Sequence, residues 1–337
     1  MCTKLVSMNR AKGRLLILPA LLLAGAAFIL SMHAQTTPDE TAPRPESSSS
    51  LHLDPQVASA LQKAMEEHDY ATAEKLLLAE IDRDPHSQRS ARLLDYAGTV
   101  YFANQDYLNA AVAWKKSEAI APLDPKLRFS LAMAYVRLRR PDWARTVLES
   151  LARENGTDPL YPYWLGRLDY DGQFYNAAIK HFQRAIEIDP KFARAYDNRG
   201  LCYYYENQND LAVADFQKAI ALDLGSPHPS PWPYLNLGIT QQFLNRLADS
   251  EKSIRDALRL DPELARAHFQ LGTVLEDEDK PQAALSELKE ASRLDPAYPE
   301  PHMAMARIYH KIGQEDEAKQ EVKIYLRLRP HSTPDLP

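Results

Sequence analysis

One set of positions, returning about every 34 residues, constrains this chain more than anything else in it. A small residue stands at Ala73, Ala110, Ala144, Ala178, Ala212, Ser250, Ala284 and Ala318, in steps of 37, 34, 34, 34, 38, 34 and 34. Twelve residues before each comes a second column, Leu61, Gly98, Ala132, Gly166, Gly200, Gly238, Gly272 and Ala306, small in all but the first. Four residues after the first column comes a large one, Leu77, Trp114, Leu148, Phe182, Phe216, Ile254, Leu288 and Val322. Seven after it come Glu80, Ser117, Leu151, Ala185, Ala219, Ala257, Ala291 and Tyr325. Offsets of four and seven keep side chains on one helical face. Two small columns on successive helices let their backbones approach closely. Asp-Pro pairs, among them Asp54-Pro55, Asp124-Pro125, Asp189-Pro190 and Asp261-Pro262, mark junctions. Asp caps a helix start and Pro suits its first position. The pattern predicts pairs of helices, stacked so that neighbours bury a continuous core.

With Tyr101, Tyr135, Tyr203 and Tyr309 three residues after the Gly column and Pro85, Pro122, Pro190, Pro262, Pro296 and Pro330 closing units, this spacing resembles the tetratricopeptide repeat family. The resemblance implies an all-α fold, a right-handed α-solenoid superhelix of helix-turn-helix units, over residues 53–332. Eight units begin near Asp54, Ala91, Pro125, Pro159, Ala193, Pro231, Ala265 and Pro299. The departures are Leu61 and Glu80 in the first unit, Asp169 and Gln241 where Tyr is expected, and Ser117 for a small apolar residue. They make the first unit cap-like, as terminal repeats commonly are. Three extra residues near His86-Ser87-Gln88 lengthen the first junction. About four more fall within residues 225–233, which reads as a longer surface loop or as a hinge between units 5 and 6.

Residues 1–34 place Lys4, Arg10, Lys12 and Arg14 before the uncharged apolar run 15–30. That is an export signal peptide or a retained N-terminal transmembrane anchor. Either sends the body out of the cytoplasm, to the periplasm of a Gram-negative envelope or to the outer face of its inner membrane. Residues 35–52 form a Pro/Ser-rich linker, since Thr36 to Ser50 contains no large apolar residue and can bury nothing; residues 333–337 are a tail. Without the four cations of the leader the chain has 36 basic and 46 acidic groups, net −10. Such a body is no partner for nucleic acid, whose phosphates need clustered cations. Membrane contact is expected only through the N-terminal segment.

No phosphate-binding Gly loop, dinucleotide fingerprint, nucleophile elbow or zincin motif occurs, and the repeats leave no stretch for a catalytic domain. The chain reads as a non-enzyme without cofactor or metal. His302 and His310 lie two turns apart, too far to converge on one ion. The run Glu276 to Asp279 reads as a solvated turn, and Cys202 as a small packing residue.

In the family, the first helix of each unit lines a concave face that takes extended peptides or partner helices. Carried onto this chain, that face holds the cations Arg92, Lys126, Arg167 and Arg194 and the rings Phe129, Tyr163, Tyr170, Tyr204 and Trp232. Aromatic rings and Arg are what interface hot spots favour, and unpaired cations are not expected inside a repeat seam. Asp95 and Asp197 are candidate countercharges. Asn198, Asn236 and Gln270 share one register in units 5 to 7 and resemble the asparagine ladder with which some members hold a peptide backbone. The Lys/Asn/Arg carboxylate clamp of chaperone adaptors is not in register. These residues predict an envelope scaffold that binds a protein or peptide segment of mixed acidic and apolar character. Two other readings stay open: self-association into a homo-oligomer through the terminal units, and binding of glycan or cell-wall peptide by the groove rings.

Overall fold

The structure is a computed structural model that describes residues 51–329. Sixteen α-helices and no strand occur among them, and each helix packs on the next. They pair as α1 (Pro55–Glu66) with α2 (Tyr70–Ile81), α3 (Gln88–Ala103) with α4 (Tyr107–Glu118), α5 (Pro125–Arg137) with α6 (Pro141–Glu154), and α7 (Leu160–Asp171) with α8 (Tyr175–Ile188). The second half pairs α9 (Ala193–Tyr205) with α10 (Asn209–Asp223), α11 (Trp232–Phe243) with α12 (Leu247–Leu260), α13 (Ala265–Asp277) with α14 (Pro281–Leu294), and α15 (Glu300–Lys311) with α16 (Glu315–Leu328). The body is therefore an all-α solenoid of helix pairs. The leader, most of the linker and the tail lie outside the described residues. Among those described, no helix is long and apolar enough to cross a membrane.

The Asp-Pro pairs do two different things. Asp54 and Asp124 cap α1 and α5 as the sequence suggests, accepting from Gln56 N at 2.9 Å and Leu127 N at 2.9 Å. Asp189, Asp261 and Asp295 instead end α8, α12 and α14 in extended backbone. A following proline bars the residue before it from helical dihedrals. Their carboxylates then turn the chain by accepting from the amides of Lys191, Glu263 and Ala297. The three residues added before unit 2 do not simply lengthen a loop either. Ser87 caps Ser90 N at 3.1 Å, and α3 starts at Gln88 with 16 residues.

Inside each pair the small column of the first helix receives the large column of the second. A Cβ on Gly98 would lie 2.6 Å from Cδ1 of Trp114, one on Gly200 2.7 Å from the Phe216 ring, and one on Gly272 2.7 Å from Leu288. Trp114, Phe182, Phe216, Ile254 and Leu288 are fully buried there. The backbones approach as well, since the same hypothetical Cβ of Gly272 meets the Ala284 carbonyl at 3.2 Å. The turn inside each pair passes through one left-handed residue, at His68, Gln105, Arg139, Gln173, Asn207, Asn245, Asp279 and Gly313. These keep the repeat spacing, and only the last is glycine.

Candidate functional site

The first helices of the pairs carry the groove residues, and their environments differ sharply. Arg92 and Lys126 are exposed, and Phe129 is half-buried with its ring 5.9 Å from Tyr161. Tyr163, Arg167 and Tyr170 on α7 are buried. The expectation that all four cations avoid the seam therefore fails at Arg167. Its Nη1 lies 3.4 Å from the Tyr163 hydroxyl and its guanidinium 5.8 Å from the Trp164 ring. A weakly hydrated planar cation tolerates such an aromatic setting better than an ammonium. Arg194 is half-buried, 5.8 Å over the Tyr163 ring and 5.5 Å over Phe192. Tyr204 and Trp232 are half-buried too, Tyr204 lying edge-on to Tyr205 and to Phe243 of the next unit.

Asp197 is the electrostatic centre of this region. Its Oδ1 accepts from Asn236 Nδ2 at 2.9 Å across the unit 5 to unit 6 seam. Burial pushes its carboxyl up to about 7, against the Asn236 hydrogen bond and the positive field of Arg167, which pull it down. The three amides in one register are all engaged inside the protein. Asn198 Nδ2 donates to the Arg194 carbonyl at 2.8 Å, Asn236 holds Asp197, and Gln270 donates to Gln242. Asn198 is 2% exposed and its Oδ1 meets no hydrogen-bond donor. The site is thus a polar seam at α7, α9 and α11, flanked by the accessible cations of α3 and α5.

Family models described as TPR repeat and tetratricopeptide repeat match residues 166–205, 193–225, 235–299 and 275–335. These segments are tetratricopeptide repeats. Among curated proteins, the Protein STIP1 homolog of Dictyostelium discoideum is 34% identical over 112 residues, covering 33% of this chain and 18% of that protein. The Hsp70-Hsp90 organizing protein of Triticum aestivum is 32% identical over 90 residues, 27% of this chain and 15% of that protein. The chain thus matches less than a fifth of the length of either relative. Among solved structures, a tetratricopeptide repeat protein from Parabacteroides merdae superposes with TM-score 0.59 at 16% identity, over 80% of this chain and 98% of the other. Yeast Tom70 superposes with TM-score 0.54 at 17% identity, over 91% of this chain and 69% of the other. At these identities the likeness establishes the fold.

Four of the five departures from the tetratricopeptide pattern are polar residues in buried columns, and each of the four has found a partner, while Leu61 packs in the core. Glu80 pairs with Arg83 and Arg89, and Ser117 donates to the Ala91 carbonyl at 3.0 Å. Asp169 takes Arg145 and His181, both at 2.6 Å, and Gln241 accepts from Ser253 at 2.7 Å. Cys202 is fully buried, and burial pushes its thiol up, away from the reactive thiolate. His302 and His310 do not converge: the first holds Glu321 and Ser292, the second Glu315. The run 276–279 is only half a turn, since Glu276 and Asp277 close α13, and its acids reach neighbouring units, Glu276 to Arg307, Asp277 to Gln242 and Asp279 to Lys311.

Proposed function

We propose that the chain is a non-enzymatic interaction scaffold of the cell envelope that holds an extended peptide or helix of a partner protein against the first helices of its repeats. The observation that carries this reading is the contrast along that face. Arg92 and Lys126 remain exposed, and Arg194, Tyr204 and Trp232 half-exposed, on helices whose other faces are buried. Large rings and cations at the rim of a rigid seam supply desolvated anchors with charge beside them. Asp197, Arg167 and Asn236 hold α7, α9 and α11 in register beneath. The relatives' names include organizers of chaperone pairs, which fits a tethering role. The apolar run 15–30 favours a body exported or anchored at the envelope.

The test places a photo-crosslinking residue singly at Lys126, Arg194 and Trp232, and at exposed Lys218 and Lys289 on second helices as controls. Crosslinks to one protein from the three groove positions, lost when Arg92, Lys126 and Arg194 are changed to Ser, are the expected result. Crosslinks only from the control positions would overturn the groove assignment, and crosslinks only to the chain itself would replace the scaffold by self-assembly.

A further inference from the structure

Large apolar side chains are exposed at the intra-unit turns of three successive units. Leu108 begins α4 and is 61% exposed, Trp143 begins α6 at 54%, and Phe174 precedes α8 at 66%. One contact ties the first two turns together, Arg137 lying 5.9 Å over Tyr107, and within unit 3 Tyr135 meets Trp143 edge-on at 5.3 Å while Arg140 lies 5.5 Å over Trp143. Arg137 ends α5 and Arg139 and Arg140 follow it before α6, and among the described residues none of the three makes an ion pair, although the body as a whole is acidic. The nearest carboxylates in sequence are largely committed. Asp106 caps α4 through Asn109 N at 3.1 Å and Asn109 Nδ2 at 2.7 Å, and Asp142 sits in the first turn of α6, where a helix end favours an acid.

We propose that the turn edge of units 2 to 4 docks on an anionic lipid bilayer, with Trp143 and Leu108 entering the headgroup boundary and Arg137, Arg139 and Arg140 meeting lipid phosphates. Trp and Arg together suit that boundary: the indole has an apolar body with a polar N–H, and the guanidinium pairs with phosphate. Charge complementarity selects an anionic surface, and the large exposure of Leu108 and Trp143 beside those arginines suits insertion at its boundary. This contact is separate from residues 15–30 and from the groove, so it can fail while the scaffold reading stands.

Trp143 is the one largely exposed tryptophan of four, the others being buried or half-buried, so its fluorescence reports the edge. The full chain is mixed with vesicles of phosphatidylglycerol and phosphatidylethanolamine in equal parts, or of phosphatidylcholine, each containing lipid with a quencher near the headgroup. Whatever residues 15–30 contribute is common to every variant. Quenching in the anionic vesicles, reversed by salt and absent in Trp143→Phe, is expected. Arg137→Gln with Arg139→Asn and Arg140→Gln should weaken it by more than tenfold, since each surface cation contributes roughly fivefold. Leu108→Ser, which leaves the Tyr135 contact alone, should weaken it as well, and Leu224→Ser at a distant junction should not. Equal quenching in both vesicle types, or quenching that survives in Trp143→Phe or in the arginine variant, would overturn the proposal. So would a shift of Trp143 emission by polyglutamate with none by vesicles, which would make the edge a reader of acidic peptide.

Discussion

Single residues decide how the repeats close and how the seam responds to pH. Asp197 has a folded value near 7 against an ordinary 3.8, so the folded state keeps a proton that the unfolded chain has already released. That contribution to stability is fully present below the unfolded value and is lost as pH rises through about 7. Thermal melts of the native chain should therefore fall between pH 6 and pH 8, values chosen to straddle the shifted range of roughly one unit either side. Asp197→Asn, which keeps an acceptor for Asn236, should flatten that fall; an equally steep profile in the variant would assign the titration elsewhere. Gly200→Leu tests closure, because even a Cβ would lie 2.7 Å from the Phe216 ring. A loss of about 1–3 kcal/mol or more is expected from overpacking, whereas Gly225→Ala meets nothing within 4 Å and should melt like the native chain. The small and large columns were legible because they recur. The burial of Arg167 was not, because a pattern of small and large columns does not report that Tyr163 and Trp164 on its own helix shelter a guanidinium.

Elements are set largely by their ends. Each pair turns through one left-handed residue, and seven of those eight are not glycine. A side chain there costs roughly 1–2 kcal/mol relative to a right-handed conformation. Gln173→Gly, at φ 62°, should raise the melting temperature, and Gly313→Ala, at φ 79°, should lower it; no change in either would mean that turn is frayed before the array melts. The second helices of units 7 and 8, α14 and α16, are held to the first by His-carboxylate pairs one repeat apart, His268 with Glu287 at 2.7 Å and His302 with Glu321 at 2.6 Å. The Glu287 hydrogen bond raises the His268 value above 6.5. Its stabilising contribution is present below the unfolded value and lost as pH rises through the folded one. The advantage of the native chain over His268→Gln should accordingly be larger at pH about 5.5 than at about 8 by calorimetry, values taken on either side of an ordinary histidine. A difference that grows with pH would refute the pairing. The helices themselves were readable from the columns, but the second role of Asp-Pro, ending α8, α12 and α14, required the backbone to be seen.

Across the whole array, the long junction between units 5 and 6 is a loop laid over an intact seam. Ser230 N donates to Asp223 Oδ2 at 2.6 Å across the loop, Asn236 bonds Asp197, and Tyr204 meets Phe243. A protease that nicks residues 225–230 should leave two fragments that co-elute on gel filtration; fragments that separate would mark a hinge there. The acidic turn of unit 7 similarly links to unit 8 through Arg307 and Lys311. The amino-acid sequence by itself determined the number of repeats, their helical character and the identity of the packing columns, because a 34-residue period repeats the same local physics eight times. It also marked the cations and rings of the first helices. Only the tertiary structure decided which of them remain accessible, that the amide N–H groups of Asn198, Asn236 and Gln270 donate within the protein, and that Leu108, Trp143 and Phe174 stay exposed beside intra-unit turns. Those outcomes depend on what the neighbouring unit places opposite each side chain, and residues 34 apart in sequence become neighbours only once the repeats have stacked.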